Sequence, residues 1–151
     1  MLIGTIDEAV YQVFNESVTE LFVMGFHRLI SSPPNVPFFI LESRRRIFAA
    51  AVSRDKAAAT LFGRPPRIDS RFCDETLPSD LDDEEVLLDH DQLQKVFDQL
   101  DENGWKRTTG KNRGIRQSSL IRLRYQHGLL QEKVLLLSLG NRTSSFSAEL
   151  R

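Results

Sequence analysis

The stretch from Leu61 to Glu85, LFGRPPRIDSRFCDETLPSDLDDEE, constrains the fold more than any other part of the chain. An alanine-rich run of helical character, FAAAVSRDKAAATLF, ends at Gly63, where a left-handed residue after the last turn is wanted, and Pro65 follows two positions on. About twenty residues then pass with little periodicity, and an irregular segment of that length inside one domain marks either function or a packed crossing. Pro65, Pro66 and Pro78 lower the entropy lost on ordering it. Ile68, Phe72 and Leu77 supply apolar contacts along it. The reading is a packed strap anchored at Gly63, with Arg64 turned back toward a carbonyl or carboxylate, and not a lid over an active site.

The rest of the chain reads as helix, and nothing reads convincingly as strand. A first helix is predicted from about Ile6 to Ile30, capped by Thr5 with Asp7 and Glu8 in its first turn, and with Val10, Val13, Phe14, Leu21, Phe22 and Met24 as its apolar stripe. Pro33 and Pro34 stop it. A second runs from about Pro37 to Phe62, and a third, shorter one from about Asp89 to Asp101 buries Leu93, Val96, Phe97 and Leu100. A fourth runs from about Gln117 to Leu139, capped by Ser118 or Ser119, turned inward through Leu120, Leu123, Leu130, Val134 and Leu137, and ended by Gly140-Asn141. The fold class is therefore all-α: an antiparallel helical domain carrying a long irregular proline-containing strap.

With 151 residues the chain suits one domain, and a formal net charge of -1 gives no global electrostatic case for nucleic acid or an anionic membrane. That mean conceals a division. From Asp74 to Glu102 acids dominate with Lys95 as the only lysine or arginine, whereas Lys106 to Arg124 carries seven bases and no acid. The two segments are expected to compensate each other across the fold. Cys73 is the single cysteine, so no internal disulfide or multi-cysteine zinc site can form, a pattern expected in a reducing compartment. No apolar run approaches the ~20 residues that span a bilayer, and no secretory signal is legible at the N-terminus.

Candidates for chemistry are few. An EF-hand loop starting at Asp98 would need glycine and glutamate where Asn103 and Thr109 stand, and one starting at Asp80 meets Glu85 and Asp91 there, so the run SDLDDEE reads as solvated helix-start charge. His27, His90 and His127 lack the spacing that sets two imidazoles on one helical face. Cys73 is a nucleophile only if the fold brings it a base. Arg44-Arg45-Arg46 spans about 200 degrees of a helix, so the triplet cannot form one patch; Glu42 and Asp55 are its expected partners, and structural pairing rather than a recognition patch is likewise expected of Arg116, Arg122 and Arg124.

Several ordered motifs carry a resemblance. VMGFHRLI, ESRRRIFAAAVSRDKAAATLFGRPPRI and RFCDETLPSDLDDEE, continued by LDENGWK and LIRLRYQHGLLQEKVLLLSLG, resemble the regulatory, or middle homology, domain of fungal zinc-cluster transcription factors. Gly25, Phe26, His27 and Arg28 stand at the place of its glycine-leucine-histidine-arginine turn. Arg44, Arg45 and Arg46 match its basic triplet, followed by Asp55. Gly63, Arg64, Pro65 and Pro66 match its helix stop, and Cys73, Asp74, Leu77 and Pro78 the segment entering acids. The resemblance implies structural roles for these residues and no catalytic, cofactor-binding or metal-binding residue. It implies that residues 1–151 are part of one regulatory domain, a fragment of a larger helical domain, since the family's domain extends further at both ends.

The family's DNA-binding module is an N-terminal cluster of six cysteines holding two zinc ions, and Cys73 alone cannot supply it. The resemblance thus implies zinc and DNA contact only through that absent module. It further implies a nuclear location and a role in RNA polymerase II transcription through the parent protein. Transcriptional co-regulators, a small-molecule effector and homodimerisation of the parent are the partners it implies, with no membrane. The rival readings are a stand-alone, non-enzymatic helical interaction module and a small enzyme built on Cys73 and a remote histidine.

Overall fold

The computed structural model describes residues 2–29, 36–74, 77–107 and 116–140, the side chains of residues 2–8 excepted. Among them are five helices and no strand: α1 (Leu2–Val23), α2 (Phe38–Phe62), α3 (Asp83–Val86), α4 (His90–Phe97) and α5 (Gln117–Leu139). A short 3-10 turn at Ser70–Phe72 lies in the strap, and an isolated antiparallel bridge joins Leu100 to Lys106. The all-α expectation holds.

Helix α1 starts earlier and ends earlier than its periodicity predicts. Gly25 adopts φ 69°, and the Phe26 amide donates to the Leu21 carbonyl at 2.9 Å, so a left-handed turn closes the helix at Val23. The predicted end at Ile30, the stop at Pro33 and Pro34, and the side chains of Thr5, Asp7 and Glu8 lie outside the described residues. Helix α4 is capped by Asp89, whose carboxylate accepts the Gln92 amide at 2.9 Å, and it stops at Phe97, short of the predicted Asp101. The short helix α3 was not legible as a separate element. Glu85 in its first turn reaches back to the Asp82 amide at 2.9 Å, which is half of a capping box.

Helix α2 is the centre of the domain. Helix α1 lies beside it in the opposite direction: the Tyr11 ring meets Phe62 at 5.5 Å, and Arg44 near the other end of α2 reaches the Met24 and Gly25 carbonyls. The principal helix pair is α2 with α5. Those two run in the same direction, since Ser53 and Lys56 pack on Gly128 while Lys56 also reaches Glu132, one turn further along both helices. The expected antiparallel neighbours are thus α1 and α2, and α2 and α5 are parallel because the long connection carries the chain back to the starting end of α2.

Apolar burial falls into two clusters. The larger joins Val18 and Leu21 of α1, Phe48 and Val52 of α2, Ile68 of the strap and Tyr125 of α5. The smaller joins Leu81, Val86, Leu93 and Val96, with Phe97 and Leu100 packed against it as expected of the third predicted helix. One predicted face fails and another holds in part, with Leu21 buried and Phe14 and Phe22 packed on the larger cluster. Val10, Val13 and Met24 of the α1 stripe are exposed, while Val18 takes the buried position. On α5 the entire predicted stripe of Leu120, Leu123, Leu130, Val134 and Leu137 points outward, and Ser118, Arg122, Tyr125, Gly128, Glu132 and Leu135 are buried instead. The reason is the strap, whose backbone needs polar partners on the side of α5 that it crosses.

Gly63 sits at φ 60° and ψ 36°, and the Arg64 amide donates to the Ala59 carbonyl at 3.0 Å, the left-handed stop predicted for the anchor of the strap. Nothing lies within 4 Å of an added Cβ, so a substitution there meets backbone strain and no clash. Gly63→Ala is expected to lower stability by about 1 kcal/mol, and Gly63→Asn by less, because asparagine tolerates the left-handed region. Urea denaturation midpoints of the three proteins check it. Equal losses for alanine and asparagine would remove conformational strain as the cause.

Candidate functional site

The strap between α2 and α5 is held by buried charge. Asp55 and Lys56, adjacent on α2, are 2% and 0% exposed. The Asp55 carboxylate accepts the Arg67 and Ile68 amides at 3.0 and 2.9 Å, so it caps the strap backbone and does not pair with the arginine triplet as predicted. The Lys56 ammonium donates to the Ile68 carbonyl and to Glu132 of α5 at 3.0 Å, with Asp55 at 3.4 Å. Glu132 in turn accepts the Ser70 amide at 3.1 Å. One ammonium therefore ties α2, the strap and α5 together.

A second tie lies near the start of α2. Glu42 is fully buried, accepts the Ser79 amide at 2.9 Å, and faces Arg45 and Arg46, each at 3.4 Å. Burial pushes the Glu42 carboxyl above its usual range, and the two guanidiniums only partly counter this. Arg46 continues to the Leu81 carbonyl and to Asp83, both at 2.6 Å. Arg44 turns away to the Gly25 carbonyl at 3.0 Å, and its guanidinium stacks 4.2 Å from the Phe26 ring. The triplet fans out to three destinations, as its angular spread requires.

On the α5 side, Asp80 of the acidic run is buried, where a solvated charge was expected. Its carboxylate accepts the Ser118 and Ser119 hydroxyls at 3.1 and 2.5 Å and the Lys106 amide at 3.3 Å, with Arg116 at 3.7 Å. Neither serine caps α5. Arg116 occupies that position with an extended backbone. Burial pushes the Asp80 pKa up, but these hydrogen bonds and Arg116 outweigh it, and the group stays below the ordinary aspartate value. Arg122, 1% exposed, donates to the Pro78 and Asn103 carbonyls and packs 4.3 Å from the Trp105 ring. Burial holds its pKa below the usual arginine value.

Two of the motifs, far apart in sequence, meet. The His27 carbonyl accepts the Asp74 amide at 2.9 Å, and the Asp74 carboxylate accepts the Leu29 amide at 2.7 Å beside Arg28 at 3.4 Å. The Gly25-to-Arg28 turn and the Cys73-Asp74 pair are thus one contact. Pro78 is fully buried and Leu77 packs on the larger cluster, while Pro65 is exposed and Pro66 half-buried. Arg64 departs from expectation: its guanidinium lies over the rings of Tyr11 and Phe62, 5.3 and 5.9 Å away, and among the described residues no carbonyl or carboxylate receives it. Phe72 also departs, being exposed.

Lys56, Asp80, Ser118 and Glu132 carry the network without having been singled out for it, whereas Arg122 takes the structural role expected of it. A signal for the α5 members existed, because positions 118, 122, 125, 128, 132 and 135 repeat with the same helical period as the leucines. No comparable signal marks Lys56.

Among the described residues no base is brought to Cys73. Burial pushes the Cys73 thiol up, and its Sγ–H donates to the Asp69 carbonyl at 3.3 Å. His27 packs on Phe22 at 4.9 Å, while His90 and His127 are exposed on α4 and α5. Among the described residues no group of His, Cys, Asp and Glu is arranged to hold a metal ion, and no helix is long and apolar enough to cross a membrane. A six-thiolate zinc cluster does not fit a chain with one cysteine.

A family model described as the fungal specific transcription factor domain matches residues 7–129, which include the motifs from Gly25 to Pro78 and the first part of α5. The chain belongs to this family. No curated protein and no solved structure matches the chain. Fungal specific transcription factor domains are non-enzymatic, and the zinc cluster of the family is not in this chain.

Removing one member of a buried ion pair strands the other, at about 3–5 kcal/mol. Lys56→Met is expected to cost that much, and adding Glu132→Leu to cost less than the sum of the single changes, with a coupling of about 1–3 kcal/mol in denaturant unfolding. Additive losses would mean that Lys56 and Glu132 do not act as a pair.

The depressed Asp80 pKa makes its contribution present at neutral pH and lost as pH falls below about 5, whereas the raised Glu42 pKa favours the fold more at low pH. Asp80→Asn should therefore be less stable at neutral pH and decline less steeply on acidification. Glu42→Gln should decline more steeply than the parent. Denaturant midpoints between pH 7 and about pH 3 check both signs.

Proposed function

We propose that residues 1–151 act as part of one regulatory domain of a fungal transcription factor, in the nucleus, modulating RNA polymerase II transcription through the parent protein. Membership of the fungal specific transcription factor domain family is the observation that carries this reading. The packing supports it. A strap tied to two helices by buried charge is a device with few alternative arrangements, suited to transmitting the state of one helix to its neighbours. DNA contact belongs to a zinc-cluster module elsewhere in the parent, and co-regulators, a small-molecule effector or a second copy of the parent are the partners that act on this domain. The runner-up is a stand-alone helical interaction module, favoured by the exposed leucines of α5.

The full chain, placed between a heterologous DNA-binding module and an activation module in a fungal cell, is expected to change reporter output, and Lys56→Met at matched protein level to abolish the change. Identical output with and without the chain would remove the regulatory reading and leave the interaction module.

The purified chain is expected not to select a duplex DNA sequence in a gel shift at physiological salt, having a net charge of -1 and no zinc cluster. Metal analysis should find zinc well below one equivalent. Sequence-selective retention or stoichiometric zinc would require DNA-reading or metal-binding residues that these motifs do not contain.

A further inference from the structure

The leucine stripe of α5 is inverted relative to the core. Leu120, Leu123, Leu130, Val134 and Leu137 are spaced by 3, 7, 4 and 3 residues, and His127 fills the intermediate position, so the six form a strict heptad seam. The seam is on the opposite side of α5 from Tyr125, Gly128 and Glu132, and Leu130 and Val134 are each 61% exposed. At 1.5 Å per residue it runs about 25 Å. That length and pattern match what an amphipathic helix needs in order to lie alongside.

The charge that α5 itself sets beside the seam has one sign. Arg124 flanks it on one side and Lys133 on the other, and the only acid of α5, Glu132, is buried against Lys56. Next to the seam a groove of about 320 Å³ opens between α2 and α5, floored by Ala50, Ala57 and Ile121 and edged by Arg54, Arg124 and His127. Most arginines of the domain are held by a carboxylate, carbonyl or ring, as Arg28, Arg46, Arg64, Arg116 and Arg122 are. Neither Arg54 nor Arg124 has a side-chain hydrogen bond or ion pair among the described residues.

We propose that this face of α5 and the adjoining α2–α5 groove dock an acidic amphipathic helix of a protein partner. The partner's apolar heptad positions cover the leucine seam, and its flanking carboxylates meet Arg54, Arg124 and Lys133. Two α5 helices facing each other would offer Arg124 and Lys133 no carboxylate, since the one acid of α5 is buried, so charge gives a self-pair no support. Nucleic acid fits no better, because phosphates leave the leucines uncovered. The proposal goes beyond the regulatory reading and is tested on purified chain, so reporter output does not enter its outcome.

The probe is a labelled synthetic helix of about four heptads, with leucine at the seam positions and glutamate on both flanks, compared with the same peptide carrying lysine on the flanks. By fluorescence anisotropy the full chain is expected to bind the acidic peptide at least ~10-fold more tightly than the basic one, with an affinity that falls as salt rises. Arg54→Glu with Arg124→Glu should reverse the preference. Leu130→Ser with Val134→Ser should weaken binding of the acidic peptide at unchanged thermal midpoint, since both residues are exposed in the free chain. Equal binding of the two peptides, or absence of binding to either, overturns the proposal. So does sedimentation showing a dimer that the Leu130→Ser and Val134→Ser changes convert to monomer, which would make a second copy the occupant.

Discussion

A lysine ammonium cannot be taken out of water unless every proton finds an acceptor, and the position of Lys56 imposes that demand on three separate parts of the chain. Desolvating such an ion costs several kcal/mol, and its attraction to a carboxylate repays this only with good geometry and further hydrogen bonds. Lys56 meets the condition by combining Glu132 from α5, the Ile68 carbonyl from the strap and its own neighbour Asp55. Each acceptor is itself committed: Asp55 to the Arg67 and Ile68 amides, and Glu132 to the Ser70 amide. Sliding α5 by one turn would take Glu132 away from both Lys56 and the Ser70 amide, leaving the ammonium only Asp55 and the Ile68 carbonyl. The parallel setting of α2 and α5 is in this sense a consequence of charge, with Ile68 and the alanines of α2 filling the space around it.

The same demand explains why the strap is irregular yet ordered. A segment without helix or sheet has no internal partners for its amides and carbonyls, and burying it leaves each one to be satisfied from outside. Asp55, Glu42 and Glu132 receive its amides, while Lys56, Arg46 and Arg122 cover its carbonyls. Acids and bases thus divide along the strap according to the backbone group that they face. That division is the physical content of motifs which in sequence look like unconnected glycines, arginines and prolines.

What was legible follows from this. Helix α2, its stop at Gly63, the extent of α5 and the packing of Leu93 and Val96 could be read directly, because alanine content, a left-handed glycine and a short amphipathic period act locally. The spread of Arg44, Arg45 and Arg46 was legible from helix geometry alone. The inward face of α5 was not, since counting apolar residues assumes that a helix turns its leucines to the core, and here the core-facing side must serve polar strap groups. Val10 and Val13 failed under the same assumption. Asp55 and Asp80 were misread because sequence shows a carboxylate without showing whether a bare amide approaches it. Of the candidate site, the motif residues were visible, but that Asp74 closes onto the His27 carbonyl is a tertiary fact with no local trace.

Charge segregation follows from the way the strap consumes acids. The acid-rich and base-rich segments do compensate each other, through Arg116 with Asp80 and Asp82 and through Lys106 with Glu85. Those pairings use acids on the strap side of α5. With Glu132 turned inward to Lys56, no acid of α5 remains for its outward side, and with Asp55 and Glu42 buried, none of α2 remains to face Arg54. A chain with a net charge of -1 therefore presents a basic, leucine-lined face on one helix while Asp89, Asp91 and Asp98 stay exposed around α4. Building a polar interior around the strap sends the leucines to the same surface as arginines that hold no carboxylate among the described residues, and the proposed acidic helix rests on that pairing of apolar and basic surface.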